Sequence, residues 1–170
     1  MNDFEKRKKE ILTPLLFEAG AALMDCQNFE YGIALFLYYL SQTGIEGLDP
    51  KKMTNVMDDI EKKTAGQLLH LLKNHVSMSD EKEIALKDAL ASRNKIIHRM
   101  LIDNIERFIL NEDRDGLLND IRIARRIVNK GSEILQPINL ELGKTIGGVD
   151  SAILSDEISK MMLVDYFKGS

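Results

Sequence analysis

The residues in this chain best suited to chemistry stand together in Ser92-Arg93-Asn94-Lys95-Ile96-Ile97-His98-Arg99. An imidazole exchanges protons near neutral pH. A guanidinium is always charged and meets phosphate oxygens as a fork. RNA carries its own nucleophile, the 2′-hydroxyl. Cleaving it needs a base for that proton and a donor for the charge on the phosphorus oxygens. His98 and Arg93 are sufficient residue types for both tasks without a metal, and Asn94 can orient the imidazole or bind a phosphate or a base edge.

The stretch lies in a helical run from Ser79 to about Asp103. At about 100° per residue, Asn94 and His98 share a face one turn apart, and Arg93 and His98 diverge by about 140°. Arg93 instead falls in line with Leu90, Ile96, Ile97 and Met100, the apolar stripe. One copy of the helix is thus expected to make a poor pocket, and two copies across a symmetry axis a better one. The competing expectation is structural: Arg93 pairs with an acid in the core or at an interface, and His98 is a half-buried polar residue.

Arg93, the Asn94 after it, and His98 five positions on resemble the signature of the HEPN domains (higher eukaryotes and prokaryotes nucleotide-binding). The resemblance covers about residues 13–144. It implies an all-α bundle of long antiparallel helices with one or two short ones, and a composite site at a homodimer interface. It further implies a metal-independent endoribonuclease of the toxin or phage-defence kind, leaving a 2′,3′-cyclic phosphate and a 5′-hydroxyl. Arg93, Asn94 and His98 would be its catalytic residues, RNA its substrate and a cognate antitoxin its partner, with no cofactor. Some HEPN domains only bind nucleotides or partners, so a non-catalytic helical dimer acting as a binding or regulatory module is the alternative.

The elements that must hold this stretch are helical throughout. The 170 residues suit one domain with a real core: residues 1–145 as the helical domain and 146–170 as an extension with a short helix. Met1–Leu12 reads as a short amphipathic helix. Thr13-Pro14 reads as the cap and first position of a long helix to about Ser41, with Leu16, Leu23, Cys26, Ile33 and Leu37 among its buried residues and Gly20 and Gly32 marking close packing. Gly44–Pro50 is a loop, and Asp49-Pro50 restarts a helix to about Lys62. Thr64 caps Ala65–His75, and Ser79 caps the motif helix, whose first turn is acidic. After a polar turn at Asn111–Gly116, a helix runs from about Leu117 to Leu135 or beyond, kinked or ended by Pro137. Ser151–Phe167 carries apolar residues suited to docking.

A net charge of −4 argues against a general nucleic-acid coat. Locally, Arg122, Arg126 and Lys130 recur at four-residue steps as a basic stripe, either a solvated helix face or a track for RNA phosphates. Cys26 is the lone cysteine, expected as a small core residue. His70 and His75 are five apart with no partner at ligand spacing, so no metal site is expected. With no run of about 18 apolar residues and no apolar signal core, the chain reads as cytoplasmic, without a membrane partner.

Overall fold

The structure is a computed structural model and describes residues 3–44, 46–49, 51, 53, 65–109 and 113–147. Among them every regular element is helical: α1 (Asp3–Gln42), α2 (Ala65–His75), α3 (Asp80–His98), α4 (Met100–Asp103), α5 (Ile105–Ile109) and α6 (Arg114–Gly147). The protein is an all-α helical bundle. Of the expected helix after Asp49 only Lys51 and Met53 are described, both helical: Asp49 Oδ1 accepts the Lys51 N–H at 2.9 Å as an N-cap does, and the Asp49 carbonyl accepts the Met53 N–H at 3.0 Å. The extension beyond Gly147 lies outside the described residues.

One proline expectation is corrected and another narrowed. Pro14 does not begin a new helix, and of the two outcomes expected at Pro137, a kink or an end, the end is excluded; both prolines lie inside continuous helices. Each ring removes one intrahelical donor, at a cost of roughly 3 kcal/mol. Both prolines are exposed, so water can meet the freed carbonyls. Leu15 is buried directly after Pro14, and Leu135 and Asn139 are buried on either side of Pro137, which ties each helix down beside its proline. Thr13 is accordingly no N-cap: its hydroxyl donates back to the Lys9 carbonyl at 2.6 Å.

The long helices alternate in direction. α3 begins near the end of α1, where His75, just before it, packs on Gly47. Its continuation returns the chain to the start of α1, where Arg114 and Leu118 border Pro14 and Leu15. α6 therefore runs parallel to α1. Their contacts keep a near-constant offset in sequence: Glu18 with Arg122, Asp25 with Arg125, Gly32 with Asn139 and Tyr39 with Gly143.

The core lies among α1, α2, α3 and α6. Phe29, Ile33 and Leu37 meet Leu68 and Leu72, Leu86, and Leu117, Ile121, Val128 and Leu135, all fully or almost fully buried. Each such side chain contributes about 1.5–3 kcal/mol over its exposed state. The tightest point is Gly131 on α6, where an added Cβ would lie 2.5 Å from Ala89 Cβ and 2.7 Å from Phe29 Cε2. Only hydrogen fits there, so three helices approach closely.

The apolar positions of α1 do not all go inward. Leu16 and Leu23 are 58% and 46% exposed, with Phe17 and Met24 beside them. Gly32 packs under Leu135, as expected of a close approach, but nothing lies within 4 Å of a Cβ built at Gly20. That expectation fails because Gly20 faces away from the bundle.

Candidate active site at the end of α3

The motif occupies the second half of α3 and ends it. Ser79 stands at the N-cap with extended backbone, but its hydroxyl makes no capping bond, so the acids Asp80, Glu81 and Glu83 meet the positive end of the helix instead. Leu86, Ala89 and Ile96 bury one face, and Met100 continues it after the break at Arg99. His98 is the last residue of α3, and both it and Asn94 are exposed.

Arg93 lies between the two environments. Its side chain is 15% exposed, and its Nε donates to Glu30 Oε1 on α1, itself 15% exposed. Its Nη1 donates to Asn94 Oδ1 at 3.0 Å and lies 3.5 Å from His98 Nε2, at the outer limit of a hydrogen bond. A guanidinium has only donors, so that contact uses the His98 tautomer with the proton on Nδ1. One chain thus brings Arg93, Asn94 and His98 together. The expected divergence describes where the side chains leave the helix, and the long arginine stem spans it once Glu30 fixes one edge of the fork.

The structural expectation was therefore half met: Arg93 does pair with an acid, but His98 is open to solvent rather than half-buried. Glu30 was not legible as a site residue. It and Glu18 and Asp25 are acids set within an apolar stretch of α1, and each takes an arginine from another helix. Acids in such a setting need partners, and that is the signal that could have found them. Nη2 of Arg93 has no hydrogen-bond partner among the described residues, so its N–H groups are left for an anion, while Nη1 is taken by Asn94 and His98.

Cys26 lies beneath this ion pair, fully buried. Burial pushes its thiol up to about 11, against the opposing pull of the Arg93 charge. It is a packing residue, as its sequence setting indicated.

The basic stripe divides. Arg122, though half exposed, donates to Glu18 Oε1 at 2.8 Å. Arg125 beside it holds Asp25 at 2.7 Å and also Glu18. The Arg122 hydrogen bond holds the Glu18 carboxyl below its usual range, against burial and with help from Arg125. Arg126 and Lys130 are exposed and make no ion pair among the described residues. They stand on the side of α6 opposite its buried Ala124, Val128 and Gly131, and so on a different side of the bundle from the Arg93–His98 pair.

His70 is exposed and stands 3.4 Å from Asn74 Nδ2, and among the described residues no group of acids, histidines and cysteines is placed to hold a metal. No helix among them is long and apolar enough to cross a membrane. Comparison with protein-family models, with curated proteins and with solved structures gives no match.

Proposed function

We propose that the protein is a metal-independent endoribonuclease of the HEPN type, a toxin or defence effector, working at the Arg93–Asn94–His98 cluster. The observation that supports this reading is the approach of Arg93 Nη1 to His98 Nε2 on an exposed helix end. In the reaction His98 acts as general base or acid. The 2′-oxygen loses its proton and bonds to phosphorus, the phosphorus–O5′ bond breaks, and O5′ takes up a proton. The products are a 2′,3′-cyclic phosphate and a 5′-hydroxyl. The unpartnered Nη2 of Arg93 binds a phosphorane oxygen, and Glu30 is a positioning residue that fixes the guanidinium from behind.

In this reading the active species is a homodimer. The motif no longer demands it, since one chain gathers the three side chains. The support is the exposed apolar surface beside them. Leu16 and Leu23 fall on the same heptad line of α1 as Glu30, and Ile97, the neighbour of His98, is 37% exposed. A second copy would cover these residues and place two His98 rings in one cleft, one to take the 2′ proton and one to supply the O5′ proton.

One observation favours a second reading, a non-catalytic binding or regulatory dimer. Glu30 already neutralises Arg93, as a structural ion pair would. End-group analysis of RNA incubated with the purified protein separates the two. Cyclic phosphate and 5′-hydroxyl ends, formed by wild type and lost in Arg93→Ala, are expected of the enzyme; intact RNA with both proteins is expected of the scaffold.

A further inference from the structure

A concave site lies on another side of α1 from Glu30, between the C-terminal halves of α1 and α6. Because the two helices run parallel, these halves stand side by side over residues 28–39 and 129–143. They enclose a groove of about 410 Å³, within the ~300–1,000 Å³ of small-molecule sites. Its two walls differ in emphasis. From α1, Tyr31, Leu35 and Tyr39 follow at four-residue steps and give an aromatic wall, with Asn28 at one end. From α6, Asn129, Ser132, Gln136 and Asn139 bring amides and a hydroxyl, set among Leu135 and Leu140.

We propose that this groove binds an uncharged heteroaromatic ring with an N–H donor beside a ring acceptor, as in a free purine base or its nucleoside. Three observations carry the assignment. First, none of the described lining residues is charged, so a phosphate or carboxylate finds no cation there. Second, the α6 wall holds polar atoms that the fold leaves unmet. Asn139 is 8% exposed; its Nδ2 donates to the Gly32 carbonyl at 2.9 Å, but its Oδ1 is buried without a partner, and so is Ser132 Oγ. A buried acceptor left unpaired is costly, and a ligand N–H that reaches it removes the cost. An alkyl chain would leave both atoms unmet. Third, the facing wall suits a flat π-system. Tyr31 is 49% exposed at the rim, and burial pushes the Tyr39 phenol up, which keeps it neutral. A ring against the tyrosines presents its edge to the amides, the arrangement by which Asn and Gln read adenine. The inference is independent of the ribonuclease reading.

The test is calorimetric titration of the full chain with adenine, adenosine and AMP. Saturable binding of adenine and adenosine is expected, with AMP about tenfold or more weaker because its phosphate meets no cation. Tyr31→Ala should weaken adenosine by about tenfold through lost stacking, and Ser132→Ala should weaken it measurably. Both sites are outside the fully buried core, so both variants should fold. Asn139→Leu should abolish binding; it also removes the bond to Gly32, so a melting curve accompanies it. Absence of saturable heat at millimolar ligand, AMP binding as tightly as adenosine, or an affinity unmoved by Tyr31→Ala and Ser132→Ala would each overturn the proposal. So would a heat of dilution, lost in Tyr31→Ala, showing that a second copy fills the groove.

Discussion

Glu30 on α1 accepts a hydrogen bond from Arg93 Nε on α3, and the far end of the same guanidinium lies 3.5 Å from His98 Nε2. The pair links a residue among apolar neighbours on one helix to the exposed end of another, so it bears on both stability and chemistry.

Removing the acid should show both roles. Glu30→Gln keeps the shape but not the charge, and leaves a largely buried guanidinium without its counterion. A loss of about 2 kcal/mol is expected in urea denaturation, below the ~3–5 kcal/mol of a fully buried pair because some water reaches this one. If RNA is cleaved, kcat should fall with little change in KM, since the cluster is loosened rather than emptied. A variant as stable and active as wild type would remove Glu30 from the account.

Glycine substitutions should separate close packing from open helix surface. Gly131→Ala forces a Cβ to within 2.5 Å of Ala89 Cβ at the junction of three helices, and overpacking of this kind costs ~1–3 kcal/mol. Gly20→Ala meets nothing within 4 Å and should stabilise by roughly 0.5–1 kcal/mol through helix propensity. Thermal melting of both checks the contrast, and shifts of the same sign would contradict it.

Much of this fold was legible because helical signals here are local. The loop glycines, the acidic first turn of α3 and the apolar repeat of α6 each point to an element that exists. Pro14 misled because a solvent-facing proline in a well-anchored helix is tolerated, and anchoring is a tertiary fact. At the site, Arg93, Asn94 and His98 were readable from type and order. Their convergence was not, because it depends on Glu30, 63 positions away in sequence. The same holds for Arg122, whose partner Glu18 belongs to the opposite end of the chain.

Acid should weaken the link between α1 and α6. The Arg122 hydrogen bond, with Arg125, lowers the Glu18 carboxyl below its ordinary value of about 4.5. A carboxylate lowered in the folded state adds stability that is whole above the unfolded value and lost as pH falls through the folded one. Stability measured from pH 6 to pH 2 should therefore fall on the acid side, and Glu18→Gln should flatten that limb. An unchanged acid limb in the variant would show that the Glu18 pair contributes nothing.

Arg126 and Lys130 offer a clean test of the phosphate track because, unlike Arg122, they are not tied to α1. Arg126→Ala with Lys130→Ala should leave the melting temperature unchanged. If both residues meet phosphates, the salt slope of single-stranded RNA binding should flatten by about 0.7 for each. An identical slope would make the stripe a solvated face.

The proposed proton transfer by His98 is tested most directly by cleavage of a mixed RNA pool by wild type and His98→Ala in EDTA, with melting curves for both. His98 is exposed, so its removal should leave the melting temperature within about 1 °C. Cleavage by wild type in EDTA is expected, with a rate roughly 10²–10⁴-fold lower in His98→Ala. Equal cleavage by the two proteins, or none by wild type, would contradict it.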